Sequence, residues 1–589
     1  MTILGRLLRT GSLGIRWNES TRTEIKSLLD SDAFGELSDR LLSRIGFGTA
    51  GLRGRMQAGF AHMNDLTVIQ ASQGLCAYIL GKIPDAAEKG VVLGHDHRHN
   101  SEQFFLLSAA AFLHKGVKVH YYQDYIHTPL VPYAVTTLGA ACGVMITASH
   151  NPAADNGYKV YWSNGCQILP PHDSGIASSI LENLEPWTWG SCSIKNNHLA
   201  RDCSDSVQES YFSSLQRLPL NRLCESYEKI KYVYTPMHGT GLPFAKRAFV
   251  EAGFEDGMIL VEQQASPDPN FSTVKFPNPE ESGALDLAMR TADSHNVDIV
   301  IANDPDADRF NAAEKHNGKW KIISGNQLGV LFGYYIFQKY KNTCSGSLKK
   351  LIMLSSAVST RMLGKIAAAE GFCWEERLTG FKHLGNGALE LQDQGYDCPF
   401  AFEEAIGYMI GDIVRDKDGV SAAVQFLEIV KVLKATGQTV CGQLEQLYEK
   451  YGYYESCNSY YICNDRRRMQ DIFNSIRYQS IDRSHVSFPT HVGKRQILKV
   501  RDLTVGYDSS TPDNKPLLPV SSSSQMITFE LEDDVVITIR GSGTEPKLKY
   551  YIEAKGESTD KARKTAEEVD KDIEKEWFSA ETTGLRRDD

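Results

Sequence analysis

The chain has 589 residues, 42% of them hydrophobic and 23% charged, with a formal net charge of −10. This length exceeds a single hydrophobic core and points to about three to five domains, while the acidic balance excludes a general nucleic-acid binder and no apolar run approaches the roughly 18 residues needed to span a bilayer. The twelve cysteines are scattered without a CxxC pair, Cys457 and Cys463 being among the closest, which suits reduced thiols in a cytoplasmic protein.

Residues 1–17 carry Arg6, Arg9 and Arg16 with no acid. The pattern faintly resembles an organelle transit peptide, and a frayed basic N-terminus accounts for it as well. Residues 21–43 have helical spacing, with Ile25, Leu28, Leu29, Leu37, Leu41 and Leu42 on one face. A glycine-rich stretch, 47–54, ends in Arg53-Gly54; its glycines permit tight turns and close approach to a ligand. Residues 91–94 read as a strand, 95–100 as a loop, and 102–114 as a helix that Ser101 can cap. The next strand is 117–122. Then comes an apolar strand, Val144-Met145-Ile146, which breaks into Thr147-Ala148-Ser149-His150-Asn151-Pro152 and resumes at 158–161. Strand, helix and strand in succession predict a parallel or mixed sheet covered by helices.

The pattern recurs. A strand at 230–234 precedes a loop at 235–241 and a helix beginning near Pro243. A strand at 297–302 ends in Asn303-Asp304-Pro305-Asp306-Ala307-Asp308-Arg309. Another, 351–354, is followed by a helix from about Ser359. The last portion differs. Residues 506–524 are rich in Ser, Pro, Asp and Gly and read as a long loop. Strands at 535–539 and 548–554 flank Arg540-Gly541-Ser542-Gly543-Thr544, and 558–576 reads as a charged amphipathic helix. Strands first and helix last predict an α+β terminal domain. Domain boundaries fall near 200, 315 and 445.

Several constellations carry chemistry. Ser149 is delivered by a buried strand into a polar loop, a fitting place for a nucleophile. It is not a GxSxG serine, and the adjacent His150 does not make a hydrolase triad. Asp304, Asp306 and Asp308 alternate in one loop; carboxylates this close favour a cation, and oxygen donors suit Mg²⁺. An EF-hand is ruled out, because its sixth position would be Arg309 and its twelfth Lys315. Arg540 to Thr544 offers a guanidinium, two hydroxyls and turn amides, which grip a phosphate dianion without P-loop spacing. Glu403 and Glu404 lie between apolar neighbours, where a glutamate can accept hydrogen bonds from sugar hydroxyls. Lys417, in Asp416-Lys417-Asp418-Gly419, and Lys382, in Thr379-Gly380-Phe381-Lys382, sit in nearby turns and can bind phosphate.

Together these pieces resemble the α-D-phosphohexomutase superfamily. The phosphoserine loop matches residues 147–152, the metal loop 304–309, the sugar loop 403–405 and the phosphate loop 540–546, in the family's order; the stretch 47–54 is a fifth match. Within the superfamily the phrases at 63–67, 155–162 and 501–508 resemble the animal phosphoglucomutase-2 branch, whose members act as phosphopentomutases. The resemblance implies an α/β protein of four domains around a central cleft: three related α/β domains, 1–200, 201–315 and 316–445, and a C-terminal α+β domain, 446–589. Each donates one loop: phosphoserine, Mg²⁺-binding, sugar-binding and phosphate-binding, in that order.

In that scheme Ser149 carries a phosphoryl group. Asp304, Asp306, Asp308 and the phosphoserine hold Mg²⁺. Arg53 and Arg309 lie beside the transferring phosphate. Thr379, Glu403 and Lys417 contact the sugar phosphate, and Arg540, Ser542, Gly543 and Thr544 clamp the phosphate that does not react. His150 and Lys159 are candidates for moving protons. The implied reaction interconverts sugar 1-phosphates with 5- or 6-phosphates, ribose, deoxyribose or glucose, through glucose 1,6-bisphosphate or a pentose bisphosphate. The alternatives are a glucose-1,6-bisphosphate synthase using 1,3-bisphosphoglycerate and a catalytically silent sugar-phosphate-binding paralogue. The expected partners are small-molecule sugar phosphates, with neither nucleic acid nor membrane, and the expected state is a cytoplasmic monomer. One departure stands out: Ala405 occupies the place of a serine in the usual sugar loop, which predicts weaker discrimination for hexose and room for pentose.

Overall fold

The computed structural model describes residues 18–190, 194–220, 229–343, 347–463, 465–480, 485–542, 547–585 and 587. The chain forms two compact units, one comprising the residues up to Leu354 with Gly380–Cys441, the other Ser355–Thr379 with Gly442–Asp589.

The first unit opens with a six-stranded mixed sheet. Its strands are β1 (Leu52–Arg55), β2 (Val91–His95), β3 (Val119–Tyr121), β4 (Cys142–Ile146), β5 (Asp155–Trp162) and β6 (Ala200–Asp202), in the order β1-β5-β4-β2-β3-β6. β2 runs parallel to β3 and β4, whereas β5 returns antiparallel to β4 and pairs with β1. Every residue of β2 (VVLGH) and β4 (CGVMI) is buried, as expected of parallel strands covered on both faces. The core joins Val91, Leu93, Val144 and Ile146 to Leu75 and Ile79 of helix Asp65–Lys82 and to Phe104 and Phe112 of helix Ser101–His114.

A second sheet repeats this plan. β7 (Tyr232–Thr235), β8 (Met258–Leu260), β9 (Ile299–Asn303), β10 (Phe310–His316) and β11 (Lys319–Ile323) take the order β11-β10-β9-β7-β8. β7 is parallel to β8 and β9, and β10 returns antiparallel to β9. Position for position, β7 answers to β2 and the β9–β10 hairpin to β4–β5. After β12 (Leu351–Ser356) and β13 (Cys373–Arg377) comes a third hairpin, β14 (Asp397–Glu403) with β15 (Gly407–Ile410). Each hairpin loop holds one of the motifs singled out above. Each also holds a non-glycine residue at positive φ: Ser149 at 55°, Ala307 at 51° and Ile406 at 52°.

The second unit is built on an antiparallel sheet. β16 (Tyr453–Ile462), β17 (His491–Val492), β18 (Arg495–Asp502), β19 (Tyr507–Asp508), β20 (Met526–Leu531), β21 (Val535–Gly541) and β22 (Lys547–Gly556) lie in the order β16-β22-β21-β20-β18-β17, with β19 beside β18. Buried and half-exposed residues alternate along β22, as in a sheet with one face covered. That core joins Ile527, Phe529, Ile537 and Ile552 of the sheet to Phe473 and Ile476 of helix Arg466–Arg477 and to Val569 and Ile573 of helix Thr559–Glu576.

Three local expectations change. The helix expected over 21–43 is two helices, Glu19–Asp30 and Phe34–Leu42, separated at Asp32 with φ 55°. Asp30, Ser31 and Asp32 favour local turns over helix interiors, and the break lets Ile25, Leu37 and Leu41 converge on Ala58 and Phe60. Ser101 begins its helix rather than capping it: Asn100 is the cap position, and the Ser101 hydroxyl donates to Asp96 instead. Lys382 lies in the first turn of helix Phe381–Asp393, not in a loop. The segment 506–524 is mostly turns, with β19 as its one short strand.

Candidate functional site

Ser149 sits where β4 ends, 2% exposed. The Thr147 hydroxyl accepts the Ser149 N–H at 2.9 Å, closing a tight turn that the chain resumes into β5. Gly157 lies across this turn. A Cβ there would stand 2.4 Å from the Thr147 carbonyl oxygen, so only glycine lets the two strands close around the loop. The Ser149 hydroxyl donates to Asp304 Oδ2 at 2.8 Å, bridging 155 residues, and stands 3.3 Å from His150 Nδ1.

Asp304, Asp306 and Asp308 form the loop after β9, all essentially without solvent exposure, with one ligand atom from each lying within 4.8 Å of the others. Lys159, on β5, donates to Asp306 Oδ2 at 2.7 Å and to Asp308 Oδ2 at 2.8 Å. Lys417 stands 3.4 Å from Asp308 Oδ2. The Arg309 N–H donates to Asp304 Oδ1 at 3.0 Å, and its guanidinium faces Asp304 and Asp308 at 4.0 and 3.8 Å.

Burial, then the charges of Asp306 and Asp308, push the Asp304 carboxyl well above the usual range. Burial would push Asp306 up too, and Asp308 adds to that, yet Lys159 and Thr128 hold it low. Asp308 is likewise depressed, its burial outweighed by Lys159, Lys417 and Arg309. Lys159 stays charged because the two carboxylates outweigh the burial of its ammonium.

These residues fit a hard divalent cation. All the donors are oxygens. Among the described residues, Asp306 Oδ1 and Asp308 Oδ1 are buried with no hydrogen-bond donor, so each keeps an oxygen for an ion. A second cluster of ligand type, Glu314, His316 and Cys441, is spoken for differently. Both Glu314 oxygens accept backbone amides, from Val440 at 2.8 Å and Cys441 at 2.7 Å, and so begin a helix.

The other expected residues of this unit hold partners in neighbouring loops. β1 sets Arg53 opposite Gly157, and its guanidinium donates to Asn151 Oδ1 at 3.3 Å. The sugar-loop motif meets the acidic loop through Arg309, which donates to the Ala405 carbonyl at 3.0 Å. Glu403 accepts the Gly380 N–H; burial and the neighbouring Glu404 raise its pKa, against the pull of Lys417. Lys382 hydrogen-bonds the Thr49 hydroxyl, in the glycine-rich stretch before β1.

In the second unit, Arg540 lies one residue before the end of β21 and donates to the Tyr551 hydroxyl from Nε at 3.3 Å and from a terminal nitrogen at 3.1 Å. The Ser542 N–H closes the hairpin on the Lys547 carbonyl at 2.8 Å. Thr379 is half-buried at the end of the segment Ser355–Thr379. Gly543 and Thr544 lie outside the described residues.

The sequence did not single out Thr128. Its hydroxyl donates to Asp306 Oδ2 at 2.6 Å and its N–H to the Asp306 carbonyl at 2.9 Å. Thr147 was read only as part of its loop, yet it also reaches Asp306 Oδ2, at 3.4 Å. A lone threonine has no spacing signal; only its partner, 178 residues away for Thr128, reveals it.

Comparison with known proteins gives the chain its family. Models of the phosphoglucomutase/phosphomannomutase α/β/α domains I, II and III match residues 44–186, 209–318 and 324–451, and the C-terminal domain model matches 502–572. The chain is 50% identical to a "Probable phosphoribomutase" of Schizosaccharomyces pombe, covering 96% of this chain and 97% of that protein. It is 46% identical to the phosphopentomutase of Mus musculus, over 92% and 88% of the two chains. It is 44% identical to the glucose 1,6-bisphosphate synthase of Homo sapiens, again over 92% and 88%. Among solved structures, the open form of pp63/parafusin from Paramecium superposes with a TM-score of 0.64 at 20% identity, covering 91% of this chain and 96% of that one. With four domain models in order and full-length relatives at this identity, the chain belongs to the phosphoglucomutase/phosphomannomutase family of α-D-phosphohexomutases.

Proposed function

We propose that the protein interconverts pentose 1- and 5-phosphates, and glucose 1- and 6-phosphates, by way of a phosphorylated Ser149. The observation that carries this is the meeting of the Ser149 hydroxyl with the acidic loop, at 2.8 Å from Asp304. Carboxylates that gather a divalent cation beside a serine favour phosphorus chemistry over acyl transfer. The names of the relatives, phosphoribomutase, phosphopentomutase and glucose 1,6-bisphosphate synthase, support the substrate class.

The division of labour follows from the residues. Asp304, Asp306, Asp308 and an oxygen of phosphorylated Ser149 would hold Mg²⁺. When bound, that ion neutralises charge on the transferring phosphoryl group. Arg53 and Arg309 flank the same group and add fixed positive charge. Lys159 and His150 are the groups that would move a proton at the sugar oxygen. Glu403, Lys417, Lys382 and Thr379 orient the sugar phosphate. Arg540, Ser542, Gly543 and Thr544 clamp its distal phosphate, so that remote binding energy positions the reacting hydroxyl.

Phosphoserine passes its phosphoryl group to the sugar monophosphate. A bisphosphate results, with Ser149 returned to the hydroxyl form. The bisphosphate turns end for end, and its other phosphate rephosphorylates Ser149. Water exclusion guards phosphoserine meanwhile.

We read the four domains at 1–200, 201–315, 316–445 and 446–589, and the protein as a cytoplasmic monomer without nucleic-acid or membrane partners. Among the described residues no helix is long and apolar enough to cross a membrane. Ala405 leaves the sugar loop one hydroxyl short, which favours pentose over a strict hexose preference.

Two measurements test this reading. Intact mass after incubation with glucose 1,6-bisphosphate should show one added phosphoryl group, mapped to Ser149. The kcat/KM for ribose 1-phosphate should equal or exceed that for glucose 1-phosphate; a strong preference for glucose refutes the assignment to pentose. Identity of 44% to a glucose 1,6-bisphosphate synthase sustains a second reading. A donor assay with 1,3-bisphosphoglycerate separates the two: rapid bisphosphate synthesis with slow mutase turnover would favour the synthase.

A further inference from the structure

The loop after β2 contains a buried arginine that none of the motifs includes. Arg98 is 3% exposed. One terminal nitrogen donates to the Ser149 carbonyl at 2.5 Å and the Asn151 carbonyl at 2.6 Å; the other donates to the carbonyls of Pro152 at 2.9 Å and Asp155 at 3.2 Å. One guanidinium thus gathers four carbonyls of the loop that carries Ser149. Its own place is set by Asp96, whose Oδ1 accepts the Arg98 N–H at 2.9 Å and the Ser101 hydroxyl at 2.6 Å. Asp96 Oδ2 pairs with Arg98 Nε at 3.3 Å. The Phe271 ring covers the guanidinium at 4.9 Å. Asn156 ties the start of β5 to the same loop, donating to the His99 carbonyl at 3.0 Å and to the Ser101 hydroxyl at 2.9 Å.

Two features say what this arrangement does. Ser149 has φ 55°, a conformation that costs a side-chain-bearing residue about 1–3 kcal/mol and persists only where surroundings impose it. The carbonyls of a loop that has left its sheet also need donors. A guanidinium is suited to both tasks, since its five N–H groups lie in one rigid plane and it remains charged when buried. A lysine offers a single point of donation and cannot span four carbonyls in this geometry. The positive charge also lies directly behind the residue that is to carry a dianion.

We propose that Arg98 is the positioning residue for Ser149: by gripping the loop carbonyls it holds the serine in its left-handed conformation, with Oγ at the acidic loop, and so directs the phosphoryl group to sugar and not to water. The proposal rests on the reading of Ser149 as the phosphoryl carrier. Transfer to sugar and loss to water break the same bond, between phosphorus and Ser149 Oγ. They differ only in the oxygen that attacks, so a loosened loop should alter their ratio.

The test uses the full-length protein in Mg²⁺ buffer, as wild type, Arg98→Ala and Arg98→Lys. Four quantities are read: phosphorylation of Ser149 by glucose 1,6-bisphosphate, kcat and KM for the sugar phosphate, hydrolysis of phosphoserine without acceptor, and recovery of Arg98→Ala by millimolar guanidinium against NaCl and urea controls. We expect kcat to fall about 10²-fold or more, as misplacement near a reacting group costs, while KM moves less than about threefold. Hydrolysis relative to transfer should rise at least about tenfold, and guanidinium should restore part of kcat in the alanine variant only. A destabilised fold would lower active enzyme without altering that ratio and without responding to guanidinium, and this result overturns the proposal. So does a folded alanine variant with wild-type kcat. Should Arg98→Ala not fold, the ratio measured in Arg98→Lys decides by the same criterion. If wild-type Ser149 never becomes phosphorylated, the carrier reading itself fails and takes this proposal with it; if it does and the variants match it, only the role of Arg98 is refuted.

Discussion

The β4–β5 and β9–β10 loops occupy the same place in two sheets of the same plan, and they are braced differently. Both leave a buried strand, both return antiparallel, and both contain a buried non-glycine residue at positive φ, Ser149 and Ala307. What differs is what grips their backbone carbonyls. The serine loop is gripped by the guanidinium of Arg98, from the loop after β2. Two carbonyls of the acidic loop are instead held by neutral amides: Thr240, after β7, donates its N–H to the Pro305 carbonyl at 2.8 Å, and Thr128 donates to that of Asp306 at 2.9 Å. Beside Thr240, Gly239 approaches so closely that a Cβ would lie 2.3 Å from the Pro305 oxygen.

The physical lesson is one of charge economy. On the proposed reading, a loop that carries a phosphoryl dianion gains from a buried cation behind it. In the acidic loop the cations Lys159, Lys417 and Arg309 instead face the carboxylates, while the carbonyls of Pro305 and Asp306 are secured without charge. Nearly the same scaffold thus presents a serine loop and an acidic loop, which differ in their own side chains and in the residues that brace them.

The contrast can be broken at its two reactive positions first. Ser149→Ala should lower mutase kcat by at least about 10³-fold, because a nucleophile has no substitute, with the far-ultraviolet spectrum unchanged. A variant that keeps full turnover would end the carrier role. Asp306→Asn removes a carboxylate that the cluster shares with Lys159. We expect the Mg²⁺ concentration for half-maximal activity to rise on the order of 10²-fold, and Mn²⁺ affinity measured calorimetrically to weaken alongside; an unchanged metal requirement would place the ion elsewhere.

The bracing of the acidic loop can be tested next. Gly239→Ala drives a methyl group into the Pro305 backbone. Overpacking of this kind costs about 1–3 kcal/mol, read by denaturant unfolding. The metal requirement should rise with it, since the displaced atoms belong to the acidic loop. Destabilisation without any effect on the metal would mean that the loop shifts as a rigid body. The smallest effect belongs to Ala307→Gly. Relief of a positive φ, about 1 kcal/mol, opposes the loss of a buried methyl, about 0.8 kcal/mol. Stability within about 1 kcal/mol of wild type is therefore expected, and a larger loss would show the methyl to be a packing contact the loop depends on.

Much of this was legible in the chain alone. Buried parallel strands such as VVLGH and CGVMI are near-continuous apolar runs, and their polar ends announce loops. The acidic triplet and the Thr-Ala-Ser-His loop carry their chemistry within a few residues, so local reading sufficed to nominate them. Breaks such as the one at Asp32 were missed, because a periodic apolar face continues on both sides of a turn. Arg98 was passed over for a deeper reason: its partners are backbone carbonyls, and a carbonyl is present at every residue. Thr128 was invisible likewise, a single hydroxyl whose only mark is its distant partner.

By itself the sequence determined the buried apolar strands, which loops bear reactive groups, and in what order they come, since propensity, apolar pattern and motif chemistry act over a few residues. Only the tertiary structure decided that Ser149 meets Asp304 across 155 residues, that Lys159 and not solvent answers Asp306 and Asp308, and that Arg98 lies behind the serine. Such meetings depend on how repeated sheets bring their hairpins together. Hydrogen bonds and ion pairs at these sites form only when distance and direction are right to a few tenths of an ångström, and no local pattern in the chain encodes that.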